Sequence, residues 1–124
     1  MQTKGLIYVA GQYRAPTIEG IRANIAKARV VAERLWKEGW IVFCPHLNSA
    51  EMDGIVPAER FLEGDMVILR ACDAIYMMRE WEWSDGAVDE RLAAISLGLD
   101  VIYEPPPPIK STGLDTGEIV NGSN

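Results

Sequence analysis

Apolar positions along the chain fall into short uninterrupted runs separated by stretches of longer period. Residues 6–10, LIYVA, form a β-branched and aromatic run that stops at Gly11, which predicts a buried strand. From Thr17 to about Gly39 the period changes. Ile18, Ile21, Ile25, Ala28, Ala32 and Leu35 step by three and four, while Glu19, Arg22, Lys27, Arg29 and Arg34 take the positions between. This predicts an amphipathic helix that Gly39 can stop. Residues 40–44, WIVFC, read as a second buried strand closed by Pro45, and 46–56 as a polar, turn-rich loop. A helix from about Pro57 to Ala71 follows, with the proline suited to a first turn. Residues 73–78 predict a third strand, Gly86 to Leu97 a third helix that Gly98 can end, and Val101–Tyr103 a short fourth strand.

Strands alternating with helices imply a parallel sheet with right-handed crossovers, hence a small three-layer α/β domain. Pro105 to Pro108 cannot continue a ladder, so the expected division is a domain over 1–104 and a tail over 105–124. Within that tail, GEIV could add a last edge strand or reach a neighbouring subunit. In such sheets ligands bind beyond the carboxyl ends of the strands. That rule directs attention to residues 11–16, 45–50, 79–86 and 104–108.

Composition narrows the function classes. The 124 residues suit one domain and are 48% hydrophobic and 24% charged, an ordinary globular balance. Twelve basic against 18 acidic residues give a net charge of −6, which argues against a nucleic acid polymer as partner. A small anionic ligand held by one or two local cations remains compatible. Cys44 and Cys72 each sit among apolar neighbours and read as reduced core thiols. The N-terminus lacks a secretory apolar core, and no run approaches the roughly 20 apolar residues of a membrane span. The expected location is cytoplasmic, with no membrane partner.

Candidate chemistry gathers at the strand ends. Gly11 lets a ligand approach the backbone, and Arg14 can offer a fork to a phosphate or carboxylate; a solvated arginine beside a turn glycine is the plainer reading. His46, the only histidine, could donate to a phosphate or simply bond nearby backbone; no second ligand stands at metal spacing. Ser84, Asp85 and Gly86 open the third helix, where a serine can cap free N–H groups or help hold an anion. Glu90 shares a helix face with Ala87, Ala94 and Leu97, against the alternative of an exposed helical glutamate. Trp81 and Trp83 either cover a planar ligand or pack on that helix. Asp65 lies away from the strand ends unless its helix starts high and crosses the site, and Asp73 reads as a turn or cap residue.

Taken in order and spacing, LIYVAGQYR, VFCPHLN, GDMVILRACDAIYMM, WSDGAVDERLAAISLG and DVIY resemble the nucleoside 2-deoxyribosyltransferase-like superfamily. The resemblance covers about residues 5–103 and is most specific in the S-x-G-x-x-x-E-x-x-x-A-x-x-x-G pattern from Ser84 to Gly98. It implies a flavodoxin/Rossmann-like domain with a four- to five-stranded parallel sheet. By the same resemblance Glu90 matches the catalytic nucleophile, Tyr8 the tyrosine that orients it, and Asp65 the aspartate that contacts the base or acts as general acid. Gly11 and Arg14 match the substrate-side loop, and Gly86 and Trp83 fall in the candidate substrate-binding set. Ser84 and His46 match the branch of 2′-deoxynucleoside 5′-phosphate N-hydrolases, since the transferases carry Asp at the position of Ser84. Among superfamily members the chain is most similar to short ones of phage and bacterial origin.

What the resemblance implies is cleavage of the N-glycosidic bond of a nucleoside 5′-monophosphate, with no metal or other cofactor and a homodimer or larger assembly. The alternatives are a deoxyribosyltransferase acting on a nucleoside, and a nucleotide-binding module without turnover.

Overall fold

Each of the four apolar runs forms a strand, and all four strands run parallel. The computed structural model describes residues 2–108. The elements in chain order are β1 (Gly5–Ala10), α1 (Ile18–Lys37), β2 (Trp40–Phe43), α2 (Pro45–Asn48), α3 (Ala58–Arg70), β3 (Ala74–Met77), a 3-10 turn at Trp81–Trp83, α4 (Asp85–Ser96) and β4 (Asp100–Tyr103). The sheet order is β2-β1-β3-β4. Tyr8 pairs with Phe43 on one side and Ile75 on the other, so β1 and β3 are the central strands. The GEIV segment lies outside the described residues.

Period-two alternation divides the core between the two sheet faces. Ile7 and Val9 point to the face covered by α1, where Ala28, Val31, Ala32 and Leu35 pack on them together with Ala74 and Tyr76. Tyr8 and Ala10 point to the opposite face, where they meet Leu69 of α3 and Ala87 and Ala94 of α4. Cys44 belongs to the first cluster and Cys72 to the second, so the sheet stands between the two thiols. The α1 stripe begins later than the sequence predicts: Ile18 is 62% exposed in the first turn. Thr17 caps α1, its side chain accepting from the Gly20 N–H at 3.0 Å.

Asp73 does more than start β3. Its carboxylate accepts from the Leu6 N–H at 2.8 Å, while its own N–H donates to the Leu6 carbonyl. Gly5, at φ +125°, sits against this carboxylate, and an added Cβ would lie 2.7 Å from Oδ2. At the far end of the sheet, the Arg79 N–H donates to the Glu104 carboxylate at 2.9 Å and its side chain to the Pro105 carbonyl at 2.6 Å. These bonds tie the exits of β3 and β4 together as the chain leaves the sheet. Two short elements escaped the sequence pattern, the 3-10 turn at Trp81–Trp83 and α2. Residues 45–48, expected as loop, form the single turn α2 with Pro45 at its start, a length too short to show a helical period.

Candidate active site

Beyond the carboxyl ends of β1 and β3 the chain encloses a cavity of about 670 Å³. With β2 and β3 on opposite sides of β1, this is the point where the strand order reverses. The β1–α1 segment contributes Gly11 and Arg14, α2 contributes His46, α3 contributes Phe61 and Asp65, and the start of α4 contributes Trp83, Ser84, Gly86 and Glu90. Eight of the nine candidate residues read from the sequence therefore line one cavity. The ninth, Tyr8, lies beneath it, fully buried, and reaches the site through Glu90.

Glu90 is 9% exposed and accepts a hydrogen bond on Oε2 from the Tyr8 hydroxyl. Burial pushes its carboxyl up to about 7; the Tyr8 hydrogen bond opposes this, and the charges of Asp65 and Asp89 add to it. Burial and the neighbouring Glu90 hold the Tyr8 phenol far above its ordinary range, so it remains a donor. Asp65 is half-buried and raised to about 6 by desolvation. Helix α3 does cross the site, which answers the question the spacing left open. Both carboxyls are thus held above their ordinary range by burial, Glu90 further than Asp65.

The remaining candidates divide by what they touch. Ser84 caps α4, its oxygen accepting from the Ala87 N–H at 3.1 Å, which leaves its hydroxyl proton free for a ligand. Gly86 has room: an added Cβ would meet only Ser84 Oγ, at 3.9 Å. Gly11 has none, since its Cβ would stand 2.9 Å from the Met78 side chain, so packing rather than ligand approach dictates the glycine. Arg14 is exposed at the mouth, with no side-chain partner among the described residues. Trp83 is 72% exposed on the rim. Trp81 takes the packing alternative, lying 6.0 Å from the Tyr103 ring with the Arg91 guanidinium 5.0 Å from its own.

His46 is 4% exposed, and its Nε2 lies 2.7 Å from the Gln12 carbonyl oxygen. A carbonyl only accepts, so the ring proton is on Nε2 and the histidine donates to backbone. Nδ1 is buried without a partner among the described residues, and burial lowers the imidazole pKa. The neutral ring thus spends its one donor on Gln12. Sequence reasoning missed Gln12, Asn24, Asp53, Phe61 and Asp89. Nothing in the sequence pattern singled out the two carboxylates among them, Asp53 and Asp89. Among the described residues no group of three or more His, Cys, Asp or Glu side chains could hold a metal ion. No helix there is long and apolar enough to cross a membrane.

A family model described as a domain of unknown function (DUF4406) matches residues 6–103. The chain belongs to this family. The family falls within the nucleoside 2-deoxyribosyltransferase-like superfamily, the group its motifs resemble. Among solved structures, a 2-desoxiribosyltransferase from Leishmania mexicana is similar, with a TM-score of 0.54 and 21% identity over 79% of this chain. The chain spans 62% of that structure's length. At this identity the likeness is one of fold, and it agrees with the α/β architecture and its all-parallel sheet. No curated protein matches the sequence.

Proposed function

We propose that this family member cleaves the N-glycosidic bond of a nucleoside 5′-monophosphate, with Glu90 as nucleophile. One observation carries the reading: a buried carboxylate, held by a tyrosine hydroxyl, stands in the cavity at the strand-order reversal. Breaking a C1′–N bond builds positive charge on the sugar, and an ionised carboxylate stabilises and then traps it. Tyr8 occupies Oε2 and leaves Oε1 to form the bond to C1′. The reactive form has Glu90 ionised and the proton on Asp65; the C1′–N electron pair departs with the base, which takes that proton. Water then attacks C1′, passes a proton back to the Asp65 carboxylate and frees Glu90.

Arg14, the Ser84 hydroxyl and the N-terminus of α4 are the groups that suit a 5′-phosphate. Phe61 and Trp83 offer apolar surface to a base. Among the described residues Arg14 stands here against five lining carboxylates: Asp53, Asp65, Asp85, Asp89 and Glu90. Arg14 is therefore the one cationic side chain that a phosphate meets among the described lining residues. A second reading follows from the name of the structural neighbour, in which an acceptor base replaces water and the reaction is deoxyribosyl transfer.

Incubation with each 2′-deoxynucleoside 5′-monophosphate, followed by chromatography of free base, tests the proposal. Release that disappears in Glu90→Ala supports it, and equal release by that variant refutes the nucleophile assignment. Product that forms only when a free base is added favours transfer.

A further inference from the structure

The segment that carries Arg14 has no regular structure, and none of residues 12–15 makes a backbone–backbone hydrogen bond among the described residues. Its carbonyls are held instead by two side chains from outside. The Gln12 carbonyl accepts from His46 Nε2 at 2.7 Å. The Tyr13 carbonyl accepts from Asn24 Nδ2 at 3.1 Å, and the same amide reaches the Arg14 carbonyl at 3.5 Å. Three consecutive carbonyls are thus tied to α2 on one side and α1 on the other. The Tyr13 ring also meets the His46 ring edge-on, with centroids 5.5 Å apart, and its hydroxyl donates to Asp53 at 3.2 Å.

We infer that Asn24 and His46 are positioning residues for Arg14: by holding the 12–14 carbonyls they fix the backbone from which the one cavity-lining guanidinium among the described residues reaches a ligand phosphate. The inference rests on the proposed reading of Arg14 as phosphate ligand. An exposed arginine on an unsupported loop samples many rotamers and backbone states, and ordering them at binding costs affinity. A loop fixed beforehand removes the backbone share of that cost. Geometry also assigns the division of labour. Asn24 is on α1 and does not line the cavity, so it acts on the ligand only through the backbone it holds. His46 does line the cavity, yet its one ring donor is committed to Gln12.

The test is calorimetric binding of the four standard 2′-deoxynucleoside 5′-monophosphates and the matching nucleosides to the full chain. The quantity read is the preference for monophosphate over nucleoside. Arg14→Ala is expected to reduce it roughly tenfold, the scale of one charge-assisted contact. Asn24→Ala should reduce it by a similar factor with nucleoside affinity unchanged. The double variant should lose no more than Arg14→Ala alone, because both act through one guanidinium. His46→Gln, whose amide can donate to Gln12, should keep more of the preference than His46→Ala. Where His46→Ala does not fold, Asn24→Ala decides. An intact preference in Asn24→Ala, additive losses in the double variant, or no preference in the wild type overturns the inference. Base release is measured separately. Preferential binding without release overturns the proposed reaction and leaves the positioning role standing, whereas release without preference does the reverse.

Discussion

At the scale of residues, the pair Tyr8–Glu90 makes opposite demands that substitutions can separate. The Tyr8 hydroxyl pulls the Glu90 pKa down and the Asp65 charge pushes it up. Tyr8→Phe is therefore expected to move the rising limb of the pH–rate profile to higher pH, and Asp65→Asn to move it lower while slowing departure of the base. Profiles of base release recorded from pH 5 to 9 check both directions. Stability follows the same linkage. The folded carboxyl of Glu90 sits near 7 against an ordinary value of 4.5, so the folded state binds the proton more tightly. Its contribution is full below about 4.5 and is lost as pH rises through 7, a change on the order of 3 kcal/mol. Glu90→Gln, which keeps an acceptor for Tyr8, should flatten that decline in thermal melts between pH 5 and 8. The helix pattern left Glu90 open between a buried and an exposed position, and the Ser84-to-Gly98 motif singled it out by resemblance. Neither gave a sign of Asn24, whose role depends on which carbonyl its amide meets.

At the scale of elements, α4 serves the fold and the site with the same residues. Ser84 both caps the helix and lines the cavity, and Ala87 and Glu90 lie one turn apart on its buried face. Ser84→Ala should cost about 1 kcal/mol through the lost cap, and it should weaken monophosphate binding more than nucleoside binding. Two glycines at the site should behave differently. Gly86→Ala fits the protein and should fold normally while narrowing the cavity, whereas Gly11→Ala meets Met78 and should lower the melting temperature. The strands and α1 were legible from their distinct periods, and the other two long helices from their bounding signals, Pro57 before α3 and Ser84 and Gly98 around α4. The turn α2 was not, since four residues cannot display a period. The path of α3 across the cavity was also hidden, because helix spacing says nothing about where a crossover begins.

At the scale of the whole molecule, alternation of element type announced a parallel sheet but not the order β2-β1-β3-β4, which depends on the side each crossover takes. That order creates the reversal between β1 and β3 and so brings Tyr8, Arg14, His46, Asp65 and Glu90, far apart in sequence, to one place. The net charge of −6 is echoed at the cavity, where the described residues set five carboxylates around a single guanidinium. An exposed Arg14 contact is screened by salt. Raising ionic strength should therefore raise KM for a monophosphate more than for its nucleoside, which steady-state kinetics at two salt concentrations would register. The account as a whole stands on a bond between Glu90 and C1′ of the substrate. Mass spectrometry of protein quenched during turnover of a deoxynucleoside 5′-monophosphate measures this directly. The expected result is a deoxyribose-phosphate adduct on the peptide containing Glu90, absent in Glu90→Gln. An unmodified peptide during active base release, or release undiminished in that variant, would contradict it.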